Sequence, residues 1–339
     1  MTTTINKIAI LTSGGDAPGM NAAIRAIVLA AHHYGITPYG FSHGYNGLIE
    51  NDITLLSPAS VNGIIHRGGT ILKSARCPEM MTEDGVNQAT LTLLKEKIDA
   101  LIVIGGDGSF SGLLAIQAQW QGKTIGIPGT IDNDLDGSDY TIGFATAVNT
   151  AIEAIDKIRD TADAFDRIFI VELMGRRSGH ITFNAGMACA AEHILSFENF
   201  SPENRQQKLV QLAQEIKNTQ QNRHASYIIV LAENLWPGGA SKLAEELNAH
   251  ANIDSTACIL GHIQRGGNPV AKDRILGTKM GVAAIQALMQ GETEIMIGEK
   301  HNHMVHVQLS DAIQHEKRVD KHLIEAQDNI LALTVQTQY

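Results

Sequence analysis

The sequence predicts an α/β protein built from two three-layer α/β domains with largely parallel sheets, and three observations carry that prediction. Apolar, β-branched runs at 100–104 and 227–232 have the length of buried strands, and segments of helical period alternate with such runs. Polar loops, several of them rich in glycine, follow the strands. Strands that alternate with helices form parallel sheets covered on both faces, and ligands then gather beyond the carboxyl ends of the strands.

In chain order, residues 7–13 predict the first strand, Gly14-Gly15-Asp16-Ala17-Pro18-Gly19 a turn, and 21–33 a helix closed by His32 and His33, where the carbonyl end of the helix favours cations. A second unit repeats the pattern: strand 98–104, loop Gly105-Gly106-Asp107-Gly108-Ser109, and a helix over 110–120. A third strand, 124–127, ends at Pro128-Gly129 and delivers Thr130-Ile131-Asp132-Asn133-Asp134. A helix over 146–159 precedes a strand over 167–173 that leads to Met174-Gly175-Arg176-Arg177-Ser178-Gly179, and strand 227–232 ends at Glu233. Residues 201–222 read as an exposed amphipathic helix, Gly238-Gly239 as a loop, and His301 to His306 as solvent-facing histidines in a short polar strand rather than metal ligands.

A chain of 339 residues with 44% hydrophobic content has enough core for two domains. Its formal net charge of -10 disfavours nucleic acid and gives an anionic substrate no help from the global field. Any phosphate site must then be a local cluster, for which Arg76, Arg167, Arg176, Arg177 and Arg265 are the candidates. Cys77, Cys189 and Cys258 are too scattered for a disulfide framework or a zinc site, which points to a reducing compartment, the cytoplasm. The apolar runs fall short of the roughly 20 residues of a membrane span, and the polar start does not read as a signal peptide.

Two loops carry chemistry. Gly105 to Ser109 packs glycines around Asp107 between a strand and a helix, which lets backbone amides approach a phosphate while the carboxylate reaches a metal; a capped tight turn is the other reading. The common nucleotide fingerprints are absent. Gly122-Lys123-Thr124 lacks the first glycine of a Walker loop, which would fall at Gln117, and Gly106-Asp107-Gly108 meets Ser111 where a dinucleotide fingerprint needs glycine. Asp132 and Asp134 stand two residues apart, on one side of an extended segment, so that one can take a proton from an attacking hydroxyl while the other helps hold magnesium. A calcium loop or a plain surface turn are the alternatives.

Taken in order, Leu11 to Asn21, Arg67-Gly68-Gly69-Thr70, Ser74-Ala75-Arg76, the Gly105–Ser109 loop, Pro128 to Asp134, Thr141-Ile142-Gly143-Phe144, Met174-Gly175-Arg176 and Gly261-His262-Ile263-Gln264-Arg265-Gly266-Gly267 resemble the bacterial ATP-dependent 6-phosphofructokinases over nearly the whole chain. The resemblance implies that Asp132 is the base toward the 1-hydroxyl of fructose 6-phosphate, assisted by Thr130, Arg76 and Arg176. It places Gly15, Arg76, Cys77, Gly106, Asp107, Gly108 and Ser109 on ATP, with Mg2+ held by Asp107, to which the carboxylate pair adds Asp134. Thr130, Ile131, Asp132, Met174, Gly175, Arg176, Glu233, His262 and Arg265 would bind the sugar phosphate, with Arg167 reaching across from a neighbouring subunit of a homotetramer. Relatives that use pyrophosphate usually carry aspartate at the place of Gly108 and lysine at that of Gly129, so ATP is the implied donor.

The domains expected are 1–143 with 264–311 for the nucleotide and 144–263 with 312–339 for the sugar phosphate. Two departures qualify the resemblance. Thr256 stands where the family usually has an arginine for the 6-phosphate, which admits another acceptor such as tagatose 6-phosphate or sedoheptulose 7-phosphate. At the family's effector site Arg25 and Arg159 match, but Leu29, Pro58, Asn222 and His224 replace basic residues, so little activation by ADP or inhibition by phosphoenolpyruvate is expected. A non-catalytic nucleotide-binding homologue is the remaining alternative.

Overall fold

The computed structural model describes residues 5–223 and 226–336. The chain divides into two compact units: Met1–Ile131, Leu135–Thr146 and Arg265–Lys317 form the first, and Asp132–Asp134, Ala147–Gln264 and Arg318–Tyr339 the second. The first unit opens with β1 (Lys7–Thr12), α1 (Met20–His33), β2 (Thr37–Phe41), α2 (Tyr45–Glu50), β3 (Ile53–Leu55), α3 (Glu83–Lys95), β4 (Ala100–Gly105), α4 (Asp107–Gln117), β5 (Lys123–Thr130) and β6 (Ile142–Gly143). Helix α5 (Phe144–Asp163) leads into β7 (Ile168–Leu173), α6 (His180–Ala188), β8 (His193–Leu195), α7 (Arg205–Arg223), β9 (Tyr227–Ala232), α8 (Gly239–Ala251) and β10 (Ser255–Ile259). A 3-10 turn over Gly261–Arg265 then precedes α9 (Ala271–Gln290), β11 (Ile295–Lys300), β12 (His303–Gln308), α10 (Leu309–Ala312) and α11 (Lys321–Gln336).

In the first unit the strands run in the order β12-β11-β5-β4-β1-β2-β3, with β6 paired to β5. The strands from β11 to β2 are parallel, and the edge strands β3 and β12 are antiparallel to their neighbours. Every residue of β4 is buried, as a parallel strand covered on both faces requires. One face packs Leu11, Val103, Phe110, Leu113 and Met296 into a core. On the other helices α1 and α9 lie close together: a Cβ on Gly277 would come within 2.9 Å of the Gly19 carbonyl, and one on Gly281 within 2.7 Å of the Ala23 carbonyl. The second unit carries the all-parallel sheet β10-β7-β9-β8, whose core includes Ile170, Leu212, Ile229, Leu231 and Trp236.

Several elements differ from the sequence expectation, each for a physical reason. Helix α4 starts at Asp107, because Gly106 is extended and serves as its N-cap, so Asp107, Gly108 and Ser109 form its first turn instead of a free loop. Strand β5 runs on through Pro128-Gly129 to Thr130. Its pairing with β11 covers Ile125 and Gly126 and that with β6 begins at Gly129, so Pro128 falls in the gap, where a residue without N–H is tolerated. Helix α5 starts two residues early, at Phe144, because the Asp273 carboxylate of α9 accepts from Gly143 N (2.9 Å), Thr146 N (2.8 Å) and Thr146 Oγ1 (2.5 Å). Burial pushes the Asp273 carboxyl up, and those hydrogen bonds oppose it. Gly238 and Gly239, expected in a loop, open α8 with φ of 89° and 70°. Helix α7 is amphipathic but not wholly exposed, since Leu209, Leu212, Ala213 and Ile216 are buried. His303 and His306 are exposed on β12, as expected, and His301 is exposed in the turn before it. His224, and the side chain of Asn222, lie outside the described residues.

Candidate active site

In the first unit β1, β4 and β5 are parallel neighbours, so their carboxyl ends bring residues 13–16, 106–109 and 130 to one edge of the sheet. Ser13 N donates to the Ile104 carbonyl (3.0 Å), and Ser109 Oγ donates to the Ser13 carbonyl (3.1 Å). Gly14 N donates to the Ala75 carbonyl (3.3 Å) and Ser74 Oγ to that of Gly14 (2.8 Å), which ties the segment bearing Arg76 and Cys77 to the first loop. Arg76 is exposed, whereas the half-buried Cys77 thiol is pushed up by burial and stays neutral.

Two close approaches join residues that the resemblance assigns to different substrates. Arg265 Nη1 donates to the Asp16 carbonyl (3.3 Å), and a Cβ on Gly15 would lie 2.6 Å from that nitrogen. Glycine at 15 therefore leaves the guanidinium its place. A Cβ on Gly106 would lie 3.6 Å from Thr130 Cβ, and the Thr130 carbonyl accepts from Thr141 Oγ1 (2.6 Å). Asp107, in the first turn of α4, has its Oδ2 3.3 Å from His315 Nε2. Nothing in the sequence pointed to His315, which reaches Asp107 from after α10 with no local motif.

In the second unit β7 and β9 are parallel neighbours, and their carboxyl ends present Met174-Gly175-Arg176 and Glu233 side by side. Glu233 Oε1 accepts from Gly175 N (3.1 Å) and Arg176 N (2.7 Å), while Met174 N donates to Gln264 Oε1 (2.9 Å). The Asp132 carbonyl accepts from Ser178 Oγ (2.6 Å), and Asp132 is buried, 7% exposed. Asn133 has φ of 54°, so the segment is not extended and the alternation argument that put Asp132 and Asp134 on one side does not hold. Asp134 is half-buried and His262 is exposed on the 3-10 turn.

Arg167 stands apart. It precedes β7 while Met174 follows it, and a strand of six residues separates their backbones by roughly 20 Å. Its guanidinium lies 4.5 Å from the Phe165 ring, and both residues are exposed. Thr256 is exposed on the edge strand β10. At the expected effector position Arg159 binds both Glu192 oxygens (2.7 and 3.0 Å) and the carbonyls of Cys189 and Ala190.

Among the described residues no group of three or more His, Cys, Asp or Glu forms a cage for a metal ion. Magnesium on a nucleotide needs no cage, because one or two carboxylates and the phosphates suffice. Asp107 fits that requirement: its side chain is 25% exposed, and beside it a Cβ on Gly108 would meet nothing within 4 Å.

Comparison with known proteins identifies the family. Residues 7–288 match the family model described as phosphofructokinase. The chain is 48% identical over 321 residues to the ATP-dependent 6-phosphofructokinase of Clostridioides difficile, covering 95% of this chain and 98% of the other. It is 44% identical over 330 residues to ATP-dependent 6-phosphofructokinase 1 of Thermus thermophilus, covering 97% and 100%. The crystal structure of Pichia pastoris phosphofructokinase in the T-state superposes with a TM-score of 0.87 at 31% identity; it covers 97% of this chain, which spans only 39% of that longer one. A pyrophosphate-dependent phosphofructokinase from Marinobacter aquaeolei, at 20% identity and TM-score 0.81 over 94% of this chain and 86% of that one, shares the fold. On the family model and on these identities, the chain belongs to the phosphofructokinase family.

Proposed function

We propose that the protein is an ATP-dependent 6-phosphofructokinase, which moves the γ-phosphoryl group of ATP onto the 1-hydroxyl of fructose 6-phosphate to give fructose 1,6-bisphosphate. The observation that carries the reading is the seat of Arg265 on the backbone at Gly15 and Asp16, which puts an acceptor-side cation against a donor-side amide loop. Phosphoryl transfer needs in-line positioning and charge neutralisation more than covalent chemistry, and this contact supports both.

In this reading Gly15, Arg76, Cys77 and Gly106 to Ser109 hold ATP, with residues 1–143 and 264–311 as the nucleotide domain. The start of α4 offers its N–H groups to the phosphates. Asp107 would hold Mg2+, which offsets phosphate charge when bound; the left-handed Asn133 leaves Asp134 without the geometric argument that paired it with this role. Asp132 takes the proton of the attacking hydroxyl, and Thr130 and Ile131 carry it at the end of β5. Arg76 and Arg176 neutralise the transferring group, at about 3–4 kcal/mol for a well-placed donor in an enclosed site. Met174, Gly175, Arg176, Glu233, His262 and Arg265, with Arg167 from a neighbouring subunit of a homotetramer, bind the sugar phosphate, with 144–263 and 312–339 as its domain. No helix among the described residues is long and apolar enough to cross a membrane, and we place the enzyme in the cytoplasm.

ATP is favoured as donor over pyrophosphate by the two glycines. Gly108 faces open space, which leaves room for a nucleotide, whereas a side chain at Gly129 would start 2.8 Å from Ile104 Cγ2 and 2.9 Å from Met20 Cε. The test is release of ADP from magnesium-ATP with fructose 6-phosphate, tagatose 6-phosphate and sedoheptulose 7-phosphate, beside a pyrophosphate control. Fructose 6-phosphate is expected to give the highest kcat/KM. A clear win by another sugar phosphate would correct the acceptor, a reading favoured only by Thr256, and no turnover with any would leave the non-catalytic homologue.

A further inference from the structure

We propose that Asn234 and Gln264 are positioning residues that hold the Arg176 loop in the geometry needed for the acceptor, a proposal that rests on the kinase reading above. The loop is conformationally costly. Gly175 has φ of 150° and Arg176 has φ of 59°, and a non-glycine residue stays in the left-handed region only where its surroundings over-determine it. A Cβ on Gly175 would also lie 2.8 Å from the Ser178 carbonyl.

Three side chains supply that constraint on consecutive backbone groups. Gln264 Oε1 takes Met174 N–H (2.9 Å), Glu233 Oε1 takes those of Gly175 and Arg176 (3.1 and 2.7 Å), and Asn234 Nδ2 donates to the Arg176 carbonyl (3.1 Å). The peptide groups on both sides of the Arg176 Cα are thereby fixed, so its side chain leaves the loop in a set direction. Glu233 is already among the acceptor-side residues; the other two are not. Gln264 is fully buried, and its Nε2 finds no hydrogen-bond partner among the described residues. An unpaired buried donor costs free energy, and the other half of this amide holds Met174 N–H. Asn234 is exposed and itself has φ of 60°, a conformation that asparagine tolerates better than most residues. A loop fixed in advance loses less freedom when the sugar phosphate binds.

Asn234→Gly is the decisive variant, because glycine adopts the same φ without strain and only the amide is lost. Expected are an unchanged Tm, an unchanged KM for ATP, and a three- to tenfold fall in kcat/KM for the acceptor. Trypsin cleavage after Arg176 or Arg177, followed by mass spectrometry without substrate, should speed up severalfold. Gln264→Met keeps the volume and removes the acceptor for Met174 N–H, so it should act in the same direction and more strongly; if it fails to fold, Asn234→Gly carries the test alone. An unchanged acceptor kcat/KM in Asn234→Gly overturns the proposal, whatever the cleavage rate does. Wild-type protein that phosphorylates no sugar phosphate overturns the kinase reading, and the acceptor role of the loop with it. Faster cleavage in the variant would then show the loop restraint alone.

Discussion

Asp132, Gly15 and Thr256 give three separable tests at the scale of single residues. Replacing Asp132 by Ser removes the proposed base, and kcat should fall by about 10²–10⁴-fold with little change in acceptor KM, measured by ADP release. Gly15→Ala acts differently, since its Cβ would meet the far end of the Arg265 side chain and not backbone. The arginine can swing away, so Tm should stay near wild type, while loss of its anchored position should cost about 1.5–3 kcal/mol, roughly 10- to 150-fold in kcat/KM. Thr256→Arg should restore a charge-assisted phosphate contact of about 2 kcal/mol and lower the acceptor KM roughly 30-fold, if the edge of β10 faces the 6-phosphate. The places of Asp107 and Asp132 beyond strand ends were legible because each sits in a short motif after an apolar strand. The seat of Arg265 on Gly15, the pairing of His315 with Asp107, and the hold of Asn234 and Gln264 on Met174–Arg176 were not, because each depends on residues distant in sequence. Asp134 was picked for an extended geometry that the left-handed Asn133 removes.

Element by element, the strands were the most readable part, because β4 and β9 are unbroken apolar runs that only a doubly covered parallel sheet can bury. Helix starts were less so, and α5 shows why: its first turn is held by Asp273, a carboxylate of α9 that no local propensity announces. Glu299 on β11 offers a test at this scale. It is 3% exposed and takes Lys272 at 2.8 Å and Lys279 at 2.5 Å, so it ties α9 to the sheet. Burial alone would raise its carboxyl, but the hydrogen bonds and charges of the two lysines overcome that and hold it below the ordinary 4.5. A lowered folded pKa contributes stability that is present above the ordinary value and is lost as pH falls through the folded value. Glu299→Gln should therefore destabilise by about 1.5 kcal/mol at pH 7, the low end for charged hydrogen bonds because both lysines are about a third exposed. The gap between variant and wild type in urea unfolding should narrow as pH drops below 4.5; a gap that holds constant down to pH 3 would show that Glu299 is not stabilised as an anion.

For the whole molecule, the position of Arg167 is the informative fact. Its backbone lies at the opposite end of β7 from Met174, roughly 20 Å away, so an arginine that serves the acceptor would have to serve that of another subunit. In the proposed homotetramer every complete site then needs Asp132 from one chain and Arg167 from its neighbour. Arg167→Ala and Asp132→Ser homo-oligomers should each be nearly inactive with fructose 6-phosphate. After the two are mixed in equal amounts, dissociated and reassembled, a site is intact when an Arg167→Ala chain supplies Asp132 and an Asp132→Ser chain supplies Arg167. Random assembly makes about a quarter of the sites of that kind, so activity should return to about a quarter of wild type. Mixing without dissociation controls for additive residual rates. If reassembled mixtures, shown by light scattering to be hybrid oligomers, recover nothing, Arg167 does not act across subunits. If the protein is monomeric while fully active, the shared site itself is wrong.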